Sequence, residues 1–306
     1  MLKSVKQSLA LAAAMLAVAA ASPVSAGTPS GAYAQFQHCP YATIPDVQTC
    51  VYTVTTSGSF KLGNSNVPIT APIVLQGGVQ SAFLPSPVYP AVGAPSLSPT
   101  PLSVPGGLLG LVNPAPDWPF PLWVAFWSIV NSVNGVTAIA EPAGAPSSNL
   151  VLALFPPSDG SDGTVITLPI RVRLANPLLG DSCYIGSFTQ PITLRLTAAT
   201  TNPPPPTLPI SGVAGVFDVE VTTNPDGAII HALNATLVDN AFAVPAAQGC
   251  GNVALGLPII TPILVSLVTG AVNLKEGFPS AAGKNVAIMV GDTALAPREY
   301  VIASEQ

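Results

Sequence analysis

Proline recurs so often along this chain that helices are expected to be rare and short. The sequence has 35 prolines and 26 glycines among 306 residues. A proline lacks the amide hydrogen that a helix interior or a central strand needs, so prolines on this scale mark turns and strand ends. Hydrophobic residues make up 49% of the chain, unlike the polar, highly charged compositions that stay disordered. We therefore predict a compact chain of many short strands.

Several segments alternate apolar and polar residues with the period of two that a half-buried antiparallel strand requires. The clearest are Thr164–Leu174 and Gln190–Thr201. A later segment carries Phe217, Val219 and Val221 at alternate positions, which we expect to face inward. The alternation thus predicts several antiparallel strands with one face in a core.

Other segments predict hairpins. Cys50–Leu62 has the pattern of a strand, a Ser-Gly turn and a second strand. The apolar run Asn149–Phe155 is predicted to be a strand that pairs with Thr164–Leu174 across the turn-forming sequence Asp159–Gly163. That sequence also has oxygen groups suited to calcium, but without the full spacing of a calcium loop.

Two apolar stretches break the strand pattern, Trp118–Val133 and Leu255–Pro279. The helical part of the second, Pro262–Leu274, would be about 20 Å long, short of a hydrocarbon core of ~30 Å. We expect it to close one end of the β core. The predicted fold is all-β, an antiparallel β-sandwich or distorted barrel with one or two short apolar helices.

The first 26 residues are predicted to be a signal peptide. A basic start precedes the apolar run Leu9–Ala21, and Val24–Ala26 provides a small-residue cleavage site before Gly27. A retained anchor is the alternative, but the run is shorter than the ~20 residues that span a bilayer. We expect residues 27–306 to be secreted as a single β-rich domain, released or associated with the cell envelope. The proline-rich connector at about 85–105 would be a loop laid over that domain.

Charge is scarce and predominantly negative. Loss of Lys3 and Lys6 with the signal peptide leaves seven basic residues against 14 acidic ones, a formal charge of −7. A chain with so few cations does not follow a phosphate backbone, which argues against nucleic acid as a partner.

The four cysteines, Cys39, Cys50, Cys183 and Cys250, are predicted to form two disulfides in an oxidising compartment. Of the three possible connectivities we favour Cys39–Cys50 with Cys183–Cys250, in which the first bridge closes a short loop and the second ties distant segments. The cysteine spacing and the scarcity of histidine argue against zinc. We predict no metal site and no cofactor, since phosphate-binding glycine loops and dinucleotide fingerprints are also missing.

Catalytic residues are not evident in the sequence. His231 with Asp218 or Asp239 is the closest approach to a hydrolase constellation, but no Gly-x-Ser-x-Gly motif accompanies it. His38, the other histidine, adjoins a cysteine near the mature N-terminus. We therefore predict no catalytic residues and a protein that is not an enzyme, with a secreted hydrolase as the least favoured alternative.

The arginines Arg171, Arg173 and Arg195 fall on outward positions of predicted strands, as do Asp218 and Glu220 of a later strand. Cross-strand ion pairs on a solvated face explain this arrangement at ~0.2–1 kcal/mol per pair. An arginine patch for an anionic ligand is the alternative.

All three tryptophans, Trp118, Trp123 and Trp127, lie in the uncharged stretch 118–133. Aromatic apolar segments favour interfaces, so this segment is a candidate contact for an apolar ligand, a membrane surface or the cell envelope.

Five strings along the chain carry a resemblance: VPGGLLGL, RLANPLLGDSCYIGS, TTNPPPPTLPISGVAG, NAFAVPAAQGCG and VNLKEGFPSAAGKN. In these strings the chain resembles a group of uncharacterised secreted proteins from actinobacteria. The resemblance implies secretion and a β-rich fold, and it fits pairing of Cys183 with Cys250, because the second and fourth strings carry one cysteine each. The segments Asn113–Ser132 and Pro258–Gly270 are longer than the pattern of the group. The resemblance implies no activity.

These observations lead us to expect a secreted, non-enzymatic protein with a structural or binding role, extracellular or in the cell envelope. The alternative is an apolar-ligand or membrane-interface protein that uses the tryptophan segment 118–133.

Overall fold

A computed structural model describes residues 27–112, 118–252 and 261–306. The predicted signal peptide, residues 1–26, lies outside this part of the chain. The strands in it are β1 (Thr49–Leu62), β2 (Ser65–Pro68), β3 (Ile73–Val79), β4 (Ser86–Pro90), β5 (Pro101–Ser103), β6 (Thr137–Pro142), β7 (Ser147–Ser148), β8 (Thr164–Ala175), β9 (Tyr184–Ile185), β10 (Ile192–Thr197), β11 (Val216–Thr223), β12 (Asp226–Asp239), β13 (Ala247–Gln248) and β14 (Val286–Pro297). The helices are α1 (Gly107–Leu111), α2 (Phe120–Ser132), α3 (Thr261–Glu276) and α4 (Arg298–Ala303), with 3₁₀ helices at Gly31–Phe36, Pro40–Ala42 and Leu150–Ala153.

Eight of these strands form a closed antiparallel barrel, in the order β8, β10, β12, β14, β1, β3, β4 and β7, with β7 pairing back onto β8. The predicted all-β fold is confirmed, and of the two architectures expected the structure has the barrel. Closure depends on β8, whose twelve residues alternate between buried and half-buried along most of their length. Its first half pairs with β10 and β7, and its second half continues past them to pair with β6 and β9.

Helices cover the end of the structure where β8 extends beyond the barrel. The largest core cluster combines the inward side chains of β8 and β10 with Leu108 of α1, Phe126 of α2 and Val268 of α3, all fully buried. The ring of Trp118 packs edge-on against Phe126 at 5.7 Å. The predicted helix at Pro262–Leu274 is therefore confirmed, and its buried face packs onto the core as expected.

A second core cluster lies on the outer face of the barrel. In β1, Cys50 belongs to this outer cluster while Val51 belongs to a cluster on the barrel interior, as alternation along a strand requires. The outer cluster is completed by Tyr33, Phe36 and Val301, from the N-terminal 3₁₀ helix and α4. The two ends of the described chain thus pack together on one side of the barrel.

Three details of the predicted strands are wrong. Cys50–Leu62 is not a hairpin but one continuous strand, since a β-bulge after Thr55 replaces the predicted turn. Gly58 has φ +123 and lies against the Ile288 carbonyl, a contact that a Cβ would prevent. Asn149–Phe155 is not a strand; it contains the 3₁₀ helix Leu150–Ala153, and β7 precedes it.

The third error concerns β11. Phe217, Val219 and Val221 do not face inward, since they are 53%, 40% and 77% exposed. Within the described residues β11 pairs with β12 alone, so it is an edge strand with solvent on both faces.

The proline-rich connector at about 85–105 contains β4 and β5 and contributes Leu97, Leu102 and Val104 to the largest core cluster. Part of this segment, β4, is therefore a strand of the barrel itself, and its second half adds apolar side chains to the core.

Both predicted disulfides are present. Cys39 is bonded to Cys50, and Cys183 to Cys250, across 11 and 67 residues. The Cys250 amide and carbonyl both hydrogen-bond to Thr269 of α3, so the second bridge ties β8 and β9 to the helical end.

We predict that replacing Cys183 and Cys250 with serine lowers the free energy of unfolding by about 4 kcal/mol, and replacing Cys39 and Cys50 by about 3 kcal/mol. The reason is loop length, because the longer loop restricts the unfolded chain more. Urea unfolding with linear extrapolation measures both values. A larger loss for the Cys39–Cys50 pair would contradict the expectation.

Candidate functional site

The interior of the barrel holds an apolar cavity of about 60 Å³. Its wall comes from side chains of all eight barrel strands, most of them aliphatic. Those from β1, β3, β8, β12 and β14 include Val51, Val79, Leu168, Leu237 and Met289. An eight-stranded barrel is wide enough for side chains to fill it or for one small ligand to be held, and here the filling is incomplete.

One polar group in this cavity lacks a partner. Ser148 of β7 is 5% exposed and lines the cavity, and its hydroxyl has no hydrogen-bond partner among the described residues. The hydroxyls of Thr53 and Thr293, also in the wall, bond to each other at 3.0 Å. A buried hydroxyl without a partner costs about 1–3 kcal/mol, so Ser148 is a site where a bound group would be stabilised.

The segment 149–155 closes the end of the barrel next to Ser148, and we call it the lid. Leu150 and Ala153 are buried and line the cavity from the lid. Hydrogen bonds hold the lid on two sides, from the Val151 amide to the Ala82 carbonyl (3.1 Å) and from the Gly215 amide to the Ala153 carbonyl (3.0 Å). It therefore reaches from the β3–β4 loop to the start of β11.

Exposed apolar side chains follow these attachment points. Phe83 comes directly after Ala82, Phe155 ends the lid, and Phe217 lies just after Gly215; all three are more than half exposed. Three solvent-facing aromatic side chains thus belong to the lid or to the segments bonded to it, and such side chains mark ligand or interface sites when they form a contiguous surface.

A second apolar cavity of about 40 Å³ lies deeper along the barrel, between Phe60, Leu62, Leu102 and Leu194. Ile73 lines both cavities, so one side chain forms part of the partition between them.

The arginines of β8 are engaged in structural contacts. Arg171 bonds to one carboxylate oxygen of Glu141 on β6 (2.7 Å) and Arg173 to the other (3.2 Å). The Arg171 guanidinium also lies 4.1 Å from the ring centres of Tyr184 and Phe188. Their outward position is as predicted. Glu141 neutralises both cations and the two rings cover Arg171, which argues against an anion site here.

The predicted partners of the arginines are wrong. Asp218 and Glu220 do not face them; Glu220 instead lies 3.1 Å from His231 on the neighbouring β12. Arg195 pairs with Asp162 at 2.6 Å on an exposed surface. The sequence could not select between these acids, because alternation gives the face of a strand and not its neighbours.

A polar depression of about 480 Å³ contains Asp162, Arg195 and Asp239. Burial raises the pKa of Asp239, against the effect of hydrogen bonds from the Arg195 and Ala241 amides. The Thr164 hydroxyl lowers the pKa of Asp162 through a 2.6 Å hydrogen bond. The carboxylates of Asp162 and Asp239 both accept hydrogen bonds from nearby residues. These bonds stabilise the turn before β8 and the end of β12.

The structure brings only one of the acids considered for hydrolysis next to His231. Asp218 is the register partner of His231 across β11 and β12, but the His231 ring contacts Glu220. Asp239 lies at the C-terminal end of β12, bonded to the Arg195 amide. His38 bonds through Nδ1 to the Val92 carbonyl at 3.0 Å. Within the described ranges no group of three His, Cys, Asp or Glu side chains is placed to hold a metal ion.

The tryptophans share one region but differ in exposure. Trp118 is buried in the core, so it does not provide the surface contact predicted for it. Trp127 is partly buried against the same core, and its ring centre lies 6.0 Å from that of Trp123. Trp123 is 42% exposed, beside Phe120 at 75% and Val124 at 45%. None of the described helices has the length and apolarity to cross a membrane.

Sequence analysis did not find the cavity or Ser148. The relevant signal was the pair of serines just before the run Asn149–Phe155, but a serine next to an apolar segment is common and indicates no cavity by itself.

Comparison with models of protein families, with curated proteins and with solved structures finds no match to this chain.

We predict that Glu141→Gln lowers the free energy of unfolding by about 1–3 kcal/mol, because it removes the carboxylate shared by two half-buried arginines. Arg195→Gln is the matched control; it breaks an exposed pair and should cost less than about 1 kcal/mol. Urea unfolding of both variants compares them directly. Equal losses would show that the Glu141 network adds nothing beyond a surface pair.

Proposed function

We propose that this protein is a secreted, non-enzymatic binding protein whose barrel encloses a small apolar molecule with one polar group. The observation that carries the proposal is the apolar cavity under the lid, with the unpartnered Ser148 hydroxyl in its wall. The two disulfides are consistent with an extracellular protein.

Two energetic deficits support a ligand in this cavity. Wall atoms that face empty space lose dispersion contacts, which a bound apolar body restores. The Ser148 hydroxyl lacks a hydrogen bond, which a ligand hydroxyl or carbonyl supplies. One molecule with an apolar body and one polar group corrects both deficits.

The size of the cavity limits the ligand. A volume of about 60 Å³ accommodates roughly four water-sized groups. A short-chain alcohol or ketone fits this volume with the lid in place. A longer chain would have to pass the lid, where Phe83, Phe155 and Phe217 offer exposed aromatic surface on the lid and on the segments bonded to it.

The chain offers an internal reporter for this binding. Met289 lines the cavity and is the sole methionine of residues 27–306. Protein labelled with ¹³C in the methionine methyl group therefore gives one methyl resonance, from the wall of the proposed site.

We predict that titration with 1-butanol shifts the Met289 methyl resonance to saturation. Ser148→Val, which removes the hydroxyl and fills part of the cavity, should weaken binding about tenfold, the equivalent of one lost hydrogen bond. Ser147→Ala is the matched control, because Ser147 is the exposed neighbour of Ser148 and lies on the other face of β7. A resonance that does not shift, or that shifts without saturation, would refute the proposal.

A second function is favoured by a separate observation, the exposed face of α2. Phe120, Trp123 and Val124 give this helix an apolar solvent-facing surface, and its thirteen residues include no charged side chain. Tryptophan at such a surface suits the boundary between lipid headgroups and acyl chains. Contact with a membrane or the cell envelope is compatible with a ligand in the barrel.

We predict that the protein cosediments with neutral phosphatidylcholine vesicles and that the double substitution Phe120→Ser with Trp123→Ser reduces the bound fraction at least fivefold. Leu208→Ser is the control, because Leu208 is 80% exposed but lies outside α2. Equal binding of the double variant and the control would remove this second function.

A further inference from the structure

The residue that follows the predicted cleavage site contacts a carboxylate near the other end of the chain. The backbone nitrogen of Gly27 donates a hydrogen bond to Oε2 of Glu305 at 3.1 Å. The other carboxylate oxygen, Oε1, accepts a hydrogen bond from the Tyr41 hydroxyl at 2.7 Å. Glu305 is therefore held between a core tyrosine and the start of the described chain.

The backbone around this contact is ordered by further bonds. The amide and hydroxyl of Ser30 both donate to the Ser304 carbonyl, at 3.2 and 2.7 Å, and the Gln306 amide donates to Thr28. Pro29 and Glu305 form an antiparallel bridge. Several contacts, and not a single hydrogen bond, thus fix the position of the Gly27 nitrogen.

Among the residues that the structure describes, no cationic side chain forms an ion pair with Glu305. The ion pairs found in the described part of the chain involve other carboxylates, and the nearest polar group on Glu305 besides Gly27 is the neutral Tyr41. Burial, together with the hydrogen bond to Glu305 and its negative charge, raises the pKa of Tyr41, so this phenol stays neutral. A half-buried carboxylate with only neutral donors is stabilised by an added positive charge.

We infer that Glu305 is the binding site for the α-ammonium group released when the chain is cleaved between Ala26 and Gly27. A signal-peptidase-class protease hydrolyses this amide with one water molecule, which leaves a carboxylate on Ala26 and an ammonium group on Gly27. The Gly27 nitrogen beside Glu305 thus changes from a neutral amide with one N–H donor into a cationic ammonium group with three. Cleavage therefore converts the hydrogen bond into an ion pair that joins the two ends of the domain.

The steric surroundings agree with glycine as the first residue. A Cβ on Gly27 would lie 2.9 Å from the Glu305 Cβ and 3.1 Å from the Gln306 carbonyl oxygen. A larger first residue would have to displace the carboxylate that binds the amine.

The test compares three N-termini on the otherwise unchanged domain: a free amine at Gly27, an acetylated Gly27, and a free amine at a retained Ala26. Acetylation removes the charge, and one added residue moves it by about 3.8 Å. We expect the melting temperature of both altered forms to fall by about 2 °C relative to the free Gly27 form. Intact mass of the exported protein should also give a chain that begins at Gly27.

Two substitutions separate the ion pair from other effects. Glu305→Gln keeps the shape and should make the three forms melt at the same temperature. Tyr41→Phe removes the other hydrogen bond to the carboxylate; it should lower all three melting temperatures while preserving their difference. Equal melting of the free and acetylated forms with Glu305 intact, or an exported chain that begins elsewhere, would overturn the inference.

Discussion

The pairing of β8 with β10 on one edge and β7 on the other closes the barrel, and the remaining features of the molecule depend on it. The two seams are unequal, since β10 pairs along six residues and β7 along only two. The short seam is where Ser148 lacks a partner and where the lid begins. The seam between β10 and β12 is shorter still, with one residue pair, but Ser148 and the lid lie at the β7 seam.

How much of the fold the sequence predicts depends on what each residue pattern specifies. In β8 the alternation gave the strand and its buried face, because every second residue from Ile166 to Leu174 is large and apolar. In Asn149–Phe155 the apolar residues are continuous, a pattern that strands and helices share when both are buried. In β11 the alternation is regular, yet no element of the described chain covers Phe217, Val219 and Val221. Pattern predicts local conformation, but burial depends on elements elsewhere in the chain.

The candidate site likewise combines features that a sequence pattern specifies with features that it does not. Four cysteines have only three possible pairings, so the disulfides could be predicted. A cavity results from the difference between the volume of a barrel and that of its side chains, and no local sequence pattern encodes this difference. Trp118 and Trp123 illustrate the point. They are five positions apart in the sequence, yet Trp118 lies in the core and Trp123 is exposed.

The acidic residues of β11 have a consequence for how copies of this protein meet. The strand has an open edge and exposed apolar side chains, which invites edge-to-edge pairing. If two copies joined antiparallel about Val219, Asp218 of each would stand directly opposite Glu220 of the other, and like charges so placed repel. In a chain where only 8% of residues are charged, two acids at this edge act as gatekeepers that discourage self-association into fibrils.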